Sequence, residues 1–290
     1  MAGDIDDLKK EIPHVIVLLA LLLVLLIVMT KFRIIHCSQV PGNWCDVYCS
    51  YFNGGKSRVA LVSGTGGMGD PNLLYNTISQ QRLFTFIEPV PMQGLSSGLL
   101  KSYELVILEK AKKITPNQAR ALQEYIAQGG AILVIGDSAT EYYVSDEELA
   151  AAQVEDQAKP GATDRLKKIA NQSGFGILST ELQAKYIKTE SPSSSLVFKK
   201  ILRNHLVMSG LIGEFALPTV PYSRVAANAA GTTIVATLKT KAGAEDSVEY
   251  PAILDTKIGF RTAAIYVAFP LESSGSKTLL LNVMDYLVTC

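Results

Sequence analysis

The most one-sided stretch of the chain lies near its start. Val15 to Met29 is an unbroken run of fifteen apolar residues, and no charge occurs from Ile12 to Thr30. A helix needs about 20 residues to cross a bilayer's hydrocarbon core, with a lower bound near 17. The run therefore predicts a transmembrane helix over residues 12–32, preceded by a short tail of residues 1–11. A cleaved signal peptide would have a shorter apolar core and small residues at its cleavage site. Here the run is followed by KFRIIHC, from Lys31 to Cys37, so the segment reads as an uncleaved anchor.

Beyond the anchor the periodicity changes. Residues 33–56 carry turn formers at Pro41-Gly42 and Gly54-Gly55 and read as a cysteine-containing stalk or cap. From Ser57 onward short apolar runs alternate with helical ones. Arg58–Gly64, Leu83–Pro89, Glu104–Lys110 and Ala131–Asp137 read as strands. The last two are nearly continuous apolar runs, as expected where both faces of a sheet are covered. Asp70-Pro71 and Thr115-Pro116 are helix starts, a capping residue followed by proline in the first turn. In the second of these helices Ala119, Leu122, Tyr125 and Ile126 share one face, and Gly129-Gly130 ends it.

This alternation predicts an α/β fold with a doubly wound, mostly parallel sheet. The domain should span residues 57–290. Residues 141–195 are polar and loop-rich, too poor in large apolar side chains for a core of their own, and read as an insertion. Strand patterns return at Gly231–Thr240, Val248–Lys257 and Arg261–Pro270. The last two form an antiparallel hairpin, followed by a helix whose buried stripe is Leu279, Leu280, Val283, Met284 and Leu287.

Charge narrows the function. Lys and Arg number 27 and Asp and Glu 27, so the net charge is zero. A nucleic-acid binder would show a basic excess, and no nucleic-acid partner is expected. The span is flanked by two basic residues on each side, Lys9 and Lys10 against Lys31 and Arg33, which leaves the positive-inside rule undecided. Cysteine placement decides it. Cys37, Cys45 and Cys49 cluster just after the span and Cys290 is the last residue. That set suits disulfides in an oxidising space, which puts the domain outside the cytoplasm at the cell membrane. Zinc is the competitor, through His36 and the three clustered cysteines. Their spacing fits no common structural-zinc pattern, and adjacent His36 and Cys37 are poorly placed to share one ion. No metal or cofactor is expected.

One loop has the letters of a phosphate cradle. Gly64-Thr-Gly66-Gly-Met-Gly69 follows a strand, precedes a helix, and is trailed by Glu88 at the end of the next strand. Two features oppose that use. The helix starts only after the third glycine, away from where a pyrophosphate would meet its N-terminus, and Asp70 adds a negative charge. The loop reads as a glycine turn close to a neighbouring strand, with Gly64, Gly66, Gly69 and Asp70 as candidate small-ligand contacts.

The segment SYELVILEKAKKITPNQARALQEYIAQGGAILVIGD, from Ser102 to Asp137, resembles the class I glutamine amidotransferase-like superfamily in its non-catalytic branches. These include trehalose-utilisation-like domains, the trimerisation domain of some β-galactosidases and the auxiliary domain of gliding-type transporters. NHLVMSGL (Asn204 to Leu211) resembles their His-Pro turn, with Leu206 in place of proline, and PAILDTKIGFRTAAIYVAFP resembles their closing hairpin. The resemblance implies fold rather than chemistry. It also implies where a nucleophilic cysteine would stand, on a tight elbow straight after the strand ending at Gly136. The chain there reads Asp137-Ser138-Ala139-Thr140, and none of its cysteines is near.

The sequence thus predicts a membrane-anchored, extracytoplasmic, non-catalytic binding or scaffold domain in a cell-envelope complex. It would be held in the bilayer by residues 12–32 and would meet a protein partner or a second copy at the sheet's carboxyl edge. Two rivals stand beside it. One is a serine hydrolase using Ser138, with His205 as base and Glu141 as acid. The other is a nucleotide- or sugar-binding sensor using the Gly64–Asp70 loop.

Overall fold

A computed structural model describes residues 3–31, 35, 40–42, 44–52, 55, 57–81, 85–158, 160–228, 230–240, 248–259 and 261–288. The chain divides into two compact units, residues 1–56 with 289–290, and residues 57–288.

In the first unit, α1 (Gly3–Lys31) carries the apolar run. Its segment Ile12–Lys31 has 20 residues with a mean hydropathy of 3.1, so it is long and apolar enough to cross a membrane. A one-turn helix α2 (Trp44–Val47) runs into a π-helical turn, Tyr48–Phe52. Trp44, Tyr48 and Cys49 form a small cluster with Leu26, Ile27 and Val40 against it. The Trp44 indole N–H donates to Thr30 Oγ1 at 3.1 Å, tying this cap to the last turn of α1. Cys37 and Cys290 lie outside the described residues, as does the side chain of Cys45, so the expected disulfides lie outside them too. No described cysteine is a free thiol.

The second unit begins with β1 (Ser57–Ser63), α3 (Pro71–Gln81), β2 (Thr85–Pro91), a short α4 (Ser97–Leu100), β3 (Leu105–Glu109) and β4 (Lys113–Ile114). Then come α5 (Pro116–Ala127), β5 (Ala131–Ile135), β6 (Glu141–Tyr142), α6 (Asp146–Ala158), α7 (Ala162–Ala170) and α8 (Ser179–Leu182). The remainder is β7 (Ala184–Glu190), β8 (Leu196–Lys200), β9 (Glu214–Leu217), β10 (Tyr222–Ala227), β11 (Thr232–Thr240), β12 (Glu249–Ile258), β13 (Arg261–Val267) and α9 (Lys277–Leu287).

The central sheet has nine strands in the order β2-β1-β3-β5-β13-β12-β11-β8-β9. The first five are parallel, and from β13 onward each pair is antiparallel. The expected hairpin is β12–β13, and β11, β8 and β9 extend it. Every residue of β3 and β5 is buried, which is why both strands read as apolar runs.

Local signals act as their chemistry dictates. Thr115 and Gln118 form a reciprocal capping box at the start of α5, worth about 1 kcal/mol. Asp70 Oδ1 accepts from the Asn72 and Leu73 N–H groups and caps α3. Gly130 is needed for close approach, since a Cβ there would overlap the Tyr125 ring at 2.1 Å. α9 buries the expected stripe of Leu279, Leu280, Val283, Met284 and Leu287.

Residues 141–195 belong to the same compact unit and are more than a decoration. Phe175, Leu178, Leu182 and Ala184 sit in the main core, with Phe175 edge-on to Tyr266 at 5.4 Å. β7 pairs with β10 as a separate two-stranded ribbon.

Candidate functional site

β1 lies between β2 and β3, so the chain leaves β1 to one side for β2 and crosses to the other for β3. In open α/β sheets ligands bind in the crevice at the carboxyl ends of strands at such a reversal. Here the loops after β1 (64–70), β3 (110–112), β5 (136–140) and β13 (268–276) meet. Ala139 N–H donates to Ala111 O at 2.8 Å, and Lys112 N–H to Gly66 O at 3.4 Å.

The elbow after β5 differs from the sequence expectation by one step. The strand ends at Ile135, and the residue straight after it is Gly136, in the left-handed region with φ 64°. Ala139 shares that region with φ 58°. A Cβ on Gly136 would lie 2.3 Å from Met68 Cγ and 2.4 Å from its sulfur. The place where the resemblance implies a nucleophile therefore has no side chain, and a methionine fills the space above it.

Ser138 is fully buried, and its Oγ accepts from Ala111 N–H at 3.4 Å. His205 caps a 3-10 turn elsewhere. Its Nδ1 accepts from Val207 N–H and its Nε2 meets Asp255 Oδ2 at 3.2 Å. Asp255 is level with Ile265, which is level with Leu133 in the middle of β5, whereas Ser138 follows the end of that strand. Glu141 is paired with Lys112 at 2.7 Å. The structure does not bring Ser138, His205 and Glu141 together. His205, Asp255 and Tyr286, whose hydroxyl donates to Asp255 Oδ2 at 2.8 Å, form a tie between the 3-10 turn, β12 and α9.

The glycine loop is lined by carboxyl groups. Met68 N–H donates to Asp137 Oδ1 at 2.9 Å and Asp70 N–H to Glu272 Oε1 at 3.0 Å, so two of its donors are already engaged. Gly67 (φ 98°) and Gly69 (φ 103°) each lie against one acid. Their Cβ atoms would fall 3.0 Å from Asp137 Oδ1 and 2.7 Å from Glu109 Oε1. Gly64, Gly66, Gly69 and Asp70 do come to the crevice, yet its walls suit a cation better than a phosphate.

Glu109 belongs to no sequence motif, yet it stands at the heart of this crevice. It ends β3 and is fully buried, with its carboxyl against that of Glu272. Burial, then a hydrogen bond shared with the Glu272 carboxyl and the charges of Glu272 and Asp70, push its pKa up to about 10, with Lys110 opposing weakly. A buried acid in that state keeps its proton at neutral pH. The signal in the sequence is an acid closing an otherwise apolar strand, as in LVILE. Asp137 nearby, after β5, is held by Met68 N–H, by Thr189 Oγ1 at 3.5 Å and by Lys112 at 3.9 Å.

The fold is an α/β one built on a mostly parallel central sheet with an antiparallel C-terminal part. It is similar to a ThuA-like protein from Bacteroides uniformis, with a TM-score of 0.57 and 13% identity over 80% of this chain and 92% of that one. A cytoplasmic protein from Salmonella typhimurium matches with a TM-score of 0.51 and 14% identity, over 79% of this chain and 98% of the other. A β-galactosidase from Bacillus circulans sp. alkalophilus matches with a TM-score of 0.54 and 15% identity, over 80% of this chain but 31% of that longer one. No family model matches the sequence, and no curated protein matches it. At these identities the likeness is one of fold alone.

Proposed function

We propose that this protein is a membrane-anchored, extracytoplasmic, non-catalytic binding domain, working as a subunit or scaffold of a cell-envelope complex. The observation that carries the non-catalytic part is the closed elbow. Gly136 offers no nucleophile, Met68 leaves no room for one, and Ser138 and His205 are each committed to separate structural bonds. The ThuA-like fold similarity supports the same reading at the level of architecture.

The anchor is supported by the way α1 ends. Leu26 and Ile27 pack with Trp44, Tyr48 and Cys49, and Thr30 accepts from the Trp44 indole. A cleaved leader would have no reason to share an apolar cluster with the chain that follows it. Tyr51 is 81% exposed and Phe52 46%, and aromatic side chains beside a span favour the membrane interface.

Affinity capture of the full chain from detergent-solubilised membranes tests the proposal. A stoichiometric partner or a second copy should co-purify. Hydrolysis of an ester or amide substrate that disappears in Ser138→Ala, with unchanged melting temperature, would overturn it.

A further inference from the structure

We infer that the cap formed by α2 and the π-helical turn Tyr48–Phe52 is a lipid-binding collar. Its outer face, Val47, Tyr51 and Phe52, lies in the boundary between headgroups and acyl chains of the leaflet that α1 leaves. The inference deepens the membrane-anchored reading by naming what this face binds, and it rests on that reading.

The span itself sets the depth. Ile12 to Thr30 are nineteen uncharged positions, and at a helical rise of 1.5 Å per residue they cover about 28 Å. A hydrocarbon core is about 30 Å thick. A span of that length therefore puts Thr30 at its edge, with the exposed Lys31 just beyond. Thr30 is also where the cap is tied. It is fully buried, its hydroxyl donates to Leu26 O at 2.8 Å, and the same oxygen accepts the Trp44 indole N–H. Leu26 and Ile27, one turn deeper, pack on the cluster of Trp44, Tyr48 and Cys49. The cap thus covers the last turn of α1 inside the apolar run and does not stand clear of it.

The chemistry of the cap suits that depth. Trp44, Tyr48 and Phe52 recur at every fourth position, and their ring centroids lie 6.2, 6.3 and 6.4 Å from one another. A cap folded in water would turn its apolar side chains to α1 and its polar ones outward. This one leaves Val47, Tyr51 and Phe52 exposed beside the span. Tyrosine and tryptophan rings favour the membrane interface, the ring among acyl chains and the polar tip among headgroups. Among residues 34–55 Asp46 is the one Asp, Glu, Lys or Arg, and Arg33 and Lys56 stand on either side of that stretch. A nearly uncharged segment between basic residues fits a layer bounded by lipid phosphates.

Trp44 is the one tryptophan of the chain, so its fluorescence reports the cap without labelling. Full-length protein would be placed in phosphatidylcholine nanodiscs whose acyl chains carry bromine either near the headgroup or near the chain end. Trp44 should lose fluorescence, and more to the shallow bromines than to the deep ones. Moving the probe to the outer face, with Trp44→Phe and Tyr51→Trp together, should give a loss at least as large with the same preference for shallow bromines. If that variant keeps its fluorescence, position 51 faces water or protein and the inference is overturned.

Should the cap of that variant fail to fold, Tyr51→Ser with Phe52→Ser retains Trp44 as the probe. Its quenching should fall below that of wild type as the collar loses its hold on lipid, and unchanged quenching overturns the inference. Alkaline carbonate washing of membranes separates the collar from the anchor. Protein that stays with the membrane yet shows no quenching keeps the anchor and loses the collar. Protein released by the wash loses the anchor, and the collar with it.

Discussion

Met68 stands where a side chain on Gly136 would have to be: a Cβ added there would lie 2.3 Å from Met68 Cγ. Gly136 also has φ 64°, a conformation that costs a side-chain-bearing residue about 1–2 kcal/mol. Gly136→Ala should therefore destabilise the domain by about 2–4 kcal/mol, strain and overpacking together. Met68→Ala on its own opens a cavity and should also cost stability. The pair should be less than additive, because each change relieves what the other suffers. Urea unfolding of the two single variants and the double variant measures this. Strict additivity would mean that Met68 does not fill the elbow.

Glu109 should make stability fall as pH rises. Folded protein keeps its proton to about 10, whereas the unfolded chain releases it near the ordinary value of 4.5. Between those values the folded state binds more protons, so stability is greatest at the acidic end and declines toward the alkaline end. One proton contributes a slope of at most about 1.4 kcal/mol per pH unit. Glu272, Asp70 and Lys110 face the same carboxyl and modulate the slope. Glu109→Gln has no proton to lose there and should flatten the profile. Unfolding midpoints measured between about pH 6 and about pH 9 check it. Parallel profiles for wild type and variant would place the titration elsewhere.

His205 is a positioning residue for the C-terminal half. It joins Val207 N–H to Asp255, and Tyr286 reaches the same carboxylate from α9. His205→Ala should lower stability by about 1–2 kcal/mol through its lost hydrogen bonds to Asp255 and Val207 N–H, leaving partner capture unchanged. Burial, with the Asp255 carboxylate next, also pushes the Tyr286 hydroxyl well above its usual range, so Tyr286→Phe should cost stability without exposing any new titration. Thermal unfolding and capture of the two variants, side by side, separate a structural role from a functional one.

The parallel half of the sheet was legible because β3 and β5 are buried on both faces and so are apolar throughout. The capping box of Thr115 and the stripe of α9 were equally plain. β8 and β9 were not, since their burial is partial and their patterns, LVFKK and EFAL, are short. The insertion hid Phe175, Leu178 and Leu182, isolated apolar residues in a polar stretch that enter the core only because the fold returns there. In the crevice, the glycines advertised a loop but not its lining. What gives the site its character is Glu109 from β3, Glu272 from beyond β13 and Asp137 from beyond β5, brought together by strand order. No local spacing records strand order.

The last prediction concerns the cysteines and the side of the membrane on which they lie. We propose that Cys37 pairs with Cys45 and Cys49 with Cys290. Cys49 is buried in a cluster with Trp44 and Tyr48, and no described cysteine is a free thiol. A Cys49–Cys290 bridge would close a loop of about 240 residues, for which chain entropy gives roughly 5 kcal/mol as an upper figure. Such bridges persist in an oxidising compartment, so the pairing and the orientation stand together. Non-reducing peptide mapping of freshly alkylated protein should find the C-terminal peptide joined to the one containing Cys49. After reduction of intact cells, a membrane-impermeant maleimide should label the cysteines. Labelling that appears only once the cells are lysed would put the domain on the cytoplasmic side. A C-terminal peptide with alkylated Cys290 would remove the bridge while leaving the anchor in place.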